Sequence, residues 1–141
     1  VLMIRGTTPC VHATSSISIG SCDGCSADPG LAAYCEAREA VHAVPRAVGG
    51  DHGPAGIRVN AICPGWINTG MLEAGFGLAK DPGAARNDAI ARHPVGRFGQ
   101  PEDIAAMAVW LASDEAGFAT GQLFTLDGGM TAASPLNPGL F

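Results

Sequence analysis

The sequence predicts an α/β chain in which about three parallel strands are joined by helical crossovers. Two patterns carry this. Ser16-Ile17-Ser18-Ile19 alternates polar and apolar residues, the period of a strand, and a long segment of helical period follows it. A second apolar strand, two capped helices and a last short strand come after, and strands separated by helices in this way lie parallel. The length of 141 residues suits one domain with a modest core and leaves little room for two.

Residues 1–14 are expected to form an irregular lead-in, because Gly6, Thr7, Thr8 and Pro9 break any helix. After the Ser16–Ile19 strand, Gly20 to Gly30 reads as a loop punctuated by Asp23, Gly24, Asp28 and Pro29. From Leu31 the period becomes helical. Ala33, Ala37, Ala40 and Val44 share one face, and Tyr34, Arg38 and Val41 form a neighbouring stripe. Pro45 lacks an amide donor and costs about 3 kcal/mol in a helix interior. Gly49 and Gly50 follow, each about 1 kcal/mol worse than Ala. A kink or an early end is expected there.

Ile57 to Cys63 reads as a buried strand ended by Pro64-Gly65. Asp81-Pro82 supplies an N-cap and a first-turn proline, opening a helix to about His93. Pro101-Glu102-Asp103 opens the next with acidic residues suited to the helix dipole. Ile104, Met107, Ala108 and Leu111 then repeat at i, i+3, i+4 and i+7, the clearest amphipathic helix of the chain. Gln122 to Leu126 is a last short strand closed by Asp127-Gly128-Gly129, and the tail over 131–141 is expected at the surface.

Composition removes several classes of function. With 47% hydrophobic and 15% charged residues the chain is neither disordered nor a coiled coil. No apolar run approaches the roughly 20 residues needed to cross a bilayer, so no membrane partner is expected. A net charge of -5 has the wrong sign for neutralising phosphates, and nucleic acid is not an expected partner. Five cysteines, an odd number, argue against a disulfide scaffold and for a reducing cytoplasm. The chain opens Val-Leu-Met-Ile-Arg-Gly, without an initiator Met or a signal-peptide pattern, as a piece of something longer would.

Tyr34 and Arg38, at i and i+4, share a helix face and bring a phenol near a guanidinium. A fixed cation beside a phenol favours its ionised form, and a phenol so placed can exchange a proton with a substrate. Alone, this spacing more often marks a half-buried ring and a solvated charge. Ser21 adds weight, since it stands where a strand ends, at the edge of an open parallel sheet that binds ligands.

Ser21 and Tyr34, thirteen residues apart, with Arg38 four further on, resemble the short-chain dehydrogenase/reductase family, which has Ser, a spacer and Tyr-x-x-x-Lys. The likeness continues through the strand and turn from Arg58 to Thr69, through Arg97 to Ile104, and from Thr120 to Gly129. It covers roughly residues 15–130, as the C-terminal half of a doubly wound, Rossmann-type NAD(P)-binding domain. The resemblance implies hydride transfer between NAD or NADP and a ketone or secondary alcohol. By match, Tyr34 would be the general acid/base, Ser21 would hydrogen-bond the substrate oxygen, and Arg38 would stand for the lysine that binds the nicotinamide ribose. Pro64, Gly65, Ile67 and Thr69 would line the nicotinamide. The helix from about Pro82 to His93 would be a mobile lid, and Trp66, Met71 and Leu72 could touch substrate or simply pack.

Two departures stand out. Arg38 keeps the lysine's charge but is planar, bulkier and never deprotonated. The sequence also has no glycine-rich turn between an N-terminal strand and helix, and no acidic residue placed to read the adenosine ribose. A truncated copy is therefore expected, and a non-catalytic, oligomer-forming remnant is the alternative, since the family's subunit contacts fall in the Tyr34 helix and in Pro101–Gly129. The resemblance implies a homo-oligomer, with an unpaired sheet edge at Ser16–Ile19. Cys22 and Cys25 have the spacing of a metal pair without two further ligands, so no metal is expected. His42, His52 and His93 are expected to be solvated.

Overall fold

The computed structural model describes residues 2–5, 14–24 and 30–132. One sheet holds β1 (Leu2–Arg5), β2 (Thr14–Ile19), β3 (Ile57–Pro64) and β4 (Leu123–Leu126), side by side in that order. β2 and β3 are parallel from Thr14 opposite Ile57 to Ile19 opposite Ile62, and β4 joins β3 in parallel from Leu123 opposite Ala61. These are the three parallel strands of the sequence reading. The lead-in corrects it, because β1 pairs antiparallel with β2, from Leu2 opposite Ile17 to Arg5 opposite Thr14. Residues that break a helix further on do not prevent four residues before them from joining a sheet. The edge expected at Ser16–Ile19 is consequently covered, and Ile17 is fully buried with Ile62, Leu111 and Ala116.

The α1 helix (Ala32–His52) connects β2 to β3 and runs through Pro45 without a break, against the expected kink or early end. Tertiary packing overrides local propensity here. Pro45 and Gly49 are both buried. A Cβ on Gly49 would lie 2.9 Å from Thr120 Oγ1 and 3.0 Å from the Gly121 nitrogen, so glycine is what lets the helix press on the turn before β4. The inward face carries His42, Pro45 and Gly49, with Tyr34, Arg38 and Val41 half-buried, while Ala33, Ala37, Ala40 and Val44 face outward.

Between β3 and β4 lie α2 (Gly70–Gly77), α3 (Pro82–Ala91) and α4 (Pro101–Ala112). Asp81 caps α3 by accepting from the Ala84 amide at 2.9 Å, as the sequence predicts. α2 is absent from the sequence reading; Thr69 caps it by accepting from Leu72 N at 3.5 Å. Along β3, Ile62 packs with Leu111 of α4, whereas its neighbour Cys63 meets His42 of α1. Successive strand residues face opposite sides, so α1 and α4 cover the two faces of the sheet. Two buried polar side chains on the α4 side bond to that helix and the turn after it. Ser15 Oγ donates to the Leu111 carbonyl at 3.0 Å, and Asn60 Nδ2 to that of Ala119 at 2.8 Å. Among the described residues no helix is long and apolar enough to cross a membrane. The surface tail expected over 131–141 falls mainly on 133–141, outside the described residues.

Candidate active site

At the carboxyl end of β2, the Gly20 amide still donates to the Ile62 carbonyl at 2.8 Å, and the chain then leaves the sheet as a single turn over Cys22–Gly24. Ser21 stands at its entrance, buried. Its Oγ donates to Asp23 Oδ2 at 3.4 Å and accepts from the Asp23 amide at 3.2 Å. At the carboxyl end of β3, Pro64 and Gly65 turn out of the sheet alongside β4, where a Cβ on Gly65 would sit 2.7 Å from Asp127 Cα. The following segment pairs with Gly99, whose nitrogen donates to Trp66 O at 3.0 Å and whose oxygen accepts from Asn68 N at 2.8 Å.

A cavity of about 720 Å³ opens between these strand ends. Ser21, Tyr34, Pro64, Gly65, Ile67 and Thr69 all line it, together with Asp23, Leu31, Trp66, Met71, Leu72 and Phe76. Its position outside the carboxyl ends of parallel strands is where open α/β sheets bind ligands. Arg38 is not part of the lining. Its guanidinium lies over the Tyr34 ring, 4.9 Å from the centroid, and donates through Nη1 to the Ile19 carbonyl at 3.3 Å. A planar cation stacks on a ring in a way that a compact ammonium does not. Thr69, meanwhile, serves α2 as its cap from an exposed position.

Asp23 is a site residue the sequence reading passed over as loop punctuation. It is buried beside Ser21 and its charge bears on Cys22, whose thiol is pushed up to about 12, first by burial and then by Asp23. Cys22 is thus a neutral thiol at physiological pH, unsuited to act as a nucleophile. Cys25 lies outside the described residues, and among those described no group of three or more His, Cys, Asp or Glu could hold a metal ion. Two histidines expected to be solvated are buried instead. His42 is fully buried and His93 is 3% exposed, its Nδ1 bonded to the Ala89 carbonyl at 2.8 Å. Helical period did not reveal either burial, since loops distant in sequence cover both rings.

The far wall is aromatic. Trp66, Phe76 and Phe98 pack with centroids 5.8 to 6.3 Å apart, and His93 meets Phe98 edge-on. Arg86 of α3 lies over Phe76 and Phe98 and pairs with Glu73 of α2, tying the two short helices together.

A family model described as enoyl-(acyl carrier protein) reductase matches residues 1–131, and a short chain dehydrogenase family protein from Francisella tularensis superimposes with a TM-score of 0.80 at 28% identity, over 86% of this chain and 52% of that one. The chain belongs to the short-chain dehydrogenase/reductase family. The 2-(S)-hydroxypropyl-CoM dehydrogenase 3 of Xanthobacter autotrophicus is 42% identical over 122 residues, 86% of this chain and 48% of the relative. An inactive 2-(S)-hydroxypropyl-CoM dehydrogenase 2 of the same organism is 43% identical over 117 residues, 82% of this chain and 50% of the relative. The chain spans about half the length of the curated relatives it matches.

Proposed function

We propose that the protein carrying this chain is an oxidoreductase that moves hydride between a nicotinamide dinucleotide, NAD or NADP, and a small secondary alcohol or ketone. The observation that carries this reading is that Ser21 and Tyr34 line one cavity with Pro64, Gly65, Ile67 and Thr69. The mainly apolar lining suits a flat ring and a small organic substrate, so the residues present fit the nicotinamide end of the cofactor. When bound, that group supplies or accepts the hydride. Tyr34 Oη gives or takes the proton at the substrate oxygen, and Ser21 Oγ hydrogen-bonds the same oxygen. Arg38 keeps a permanent positive charge behind the ring and would help hold the nicotinamide ribose when the cofactor is bound; it relays no proton.

The protein acts as a homo-oligomer in a reducing cytoplasm. Supporting the first, α1 leaves Ala33, Ala37, Ala40 and Val44 outward, and Val109 and Phe118 are exposed. Supporting the second, the sequence holds five cysteines, an odd number that does not suit a disulfide scaffold.

The non-catalytic reading is kept because a relative named as inactive is as similar as its dehydrogenase counterpart. The test joins this chain to the glycine-rich first half of a relative and measures turnover with NAD(P)+ and a series of secondary alcohols. Tyr34→Phe should abolish turnover with cofactor affinity nearly unchanged, and Arg38→Lys should raise it. Full turnover in Tyr34→Phe would overturn the assigned role. No turnover in the unsubstituted fusion or in Arg38→Lys would favour the non-catalytic reading.

A further inference from the structure

We propose that His42 is a positioning residue, its buried imidazole forming the seat on which the turn carrying Ser21 is set. The importance given to Ser21 rests on the function proposed above; the seat itself does not.

His42 lies two helical turns beyond Tyr34 on α1 and is fully buried. The backbone touches its ring at both ends of the Ser21 turn. A Cβ on Gly20 would stand 2.5 Å from His42 Nε2, and one on Gly24 would stand 2.3 Å from Cε1 and 2.7 Å from Nδ1. Contacts under 3.0 Å essentially never occur for real Cβ atoms. Neither glycine has a positive φ, so their backbone torsions do not call for glycine. The ring does. Gly20 and Gly24 bracket Ser21-Cys22-Asp23, and both are glycine because an imidazole sits beneath them.

Polar contacts fix the ring's orientation. Nε2 lies 3.5 Å from the Ser21 nitrogen and 3.2 Å from Cys63 Sγ. Because a backbone amide can only donate, we assign Nε2 as the accepting nitrogen and the ring proton to Nδ1. Nδ1 in turn faces Glu39 Oε2 at 3.5 Å. Two residues of the candidate site therefore hang from one helix: Tyr34 through its own backbone, and Ser21 through the His42 ring. Their separation is set by α1 instead of by a loop.

The test uses this chain and three readouts. In the unsubstituted protein at neutral pH, long-range ¹H–¹⁵N correlation of the His42 ring should show the proton on Nδ1 and a bare Nε2; a proton on Nε2 overturns the assignment. Gly24→Ala should lower the melting temperature, and adding His42→Ala should recover part of that loss, because the obstructing ring is gone. Purely additive losses overturn the seat. Finally, His42→Ala should displace the Ser21 amide resonance, and His42→Gln, which can still accept from Ser21 N–H, should return it toward its original position. If His42→Leu restores it equally well, the ring only fills space and the positioning role fails. Ser21→Ala should leave the ring tautomer and the glycine suppression intact, so failure of the proposed chemistry and failure of the seat remain distinguishable.

Discussion

On the Ser21 side of the cavity, backbone closes at short range on the fully buried His42 ring, whereas the α2–α3 side is held by aromatic faces and exposed ion pairs. Gly20, Gly24 and Gly65 each leave no room for a Cβ, so that side has essentially one arrangement. Phe76, Phe98 and Trp66 instead share broad contacts within helices of only 8 and 10 residues, closed over by the Glu73–Arg86 pair. Close-range fits fix atoms, while broad apolar contacts and exposed charges allow sliding. The difference teaches where the proposed roles would fall: Ser21, proposed to hold the substrate oxygen, stands on the closely fitted side, and α3, which the resemblance makes a lid, stands on the other.

The largest effect expected from breaking this contrast is in Phe76→Ala. Truncating a nearly buried ring costs about 3–5 kcal/mol, and here the loss should appear as local opening. Amide exchange should quicken across α2 and α3 while β2, β3 and α1 keep their protection. Uniform loss of protection would mean the two sides are a single cooperative unit.

A paired substitution sharpens the same point. Gly65→Ala drives a Cβ to 2.7 Å from the backbone Cα of Asp127, and overpacking of this kind costs about 1–3 kcal/mol. Gly99→Ala meets the Ile67 Cδ1 end of a flexible side chain at 2.5 Å, which can rotate away, so its cost should be smaller. Chemical denaturation of both variants decides it, and equal losses would contradict the contrast.

A smaller effect concerns pH. The Arg97 guanidinium, helped by the Gln100 amide, holds Asp103 down at about 2, below the ordinary 3.8. A carboxylate depressed on folding stabilises the fold above its unfolded value and loses that contribution as pH falls through its folded value. Melting temperature should therefore fall between about pH 4 and pH 2, and less steeply in Asp103→Asn. The pair is exposed, so the difference should be modest. Identical pH profiles would show that this link between the turn before α4 and the helix start contributes nothing.

Features resting on sequence neighbours were legible from the sequence. Asp81, Pro82 and Pro101 announce helix starts because a cap needs only the next three residues, and period alone separates β2 from α1. The spacing of a family motif singles out Ser21 and Tyr34, and both line one cavity. What escaped depends on contacts across the fold. The helix survives Pro45 because Gly49 presses on Thr120 and Gly121, about seventy residues away. The burial of His42 depends on Gly20, Gly24 and Cys63, none of which belongs to its helix. The i, i+4 spacing brings Arg38 near Tyr34, as the structure shows, but does not report that the guanidinium stacks over the ring.

The central claim, that Ser21 and Tyr34 face one substrate oxygen, is tested most directly by titrating the ¹⁵N- and ring-labelled chain with cyclohexanone and following both residues by NMR. The account predicts that the Ser21 amide and Tyr34 ring signals move together with one apparent affinity, and that Ser21→Ala weakens the response at Tyr34. Shifts confined to α2 and α3, or Ser21 and Tyr34 responding with different affinities, would contradict it.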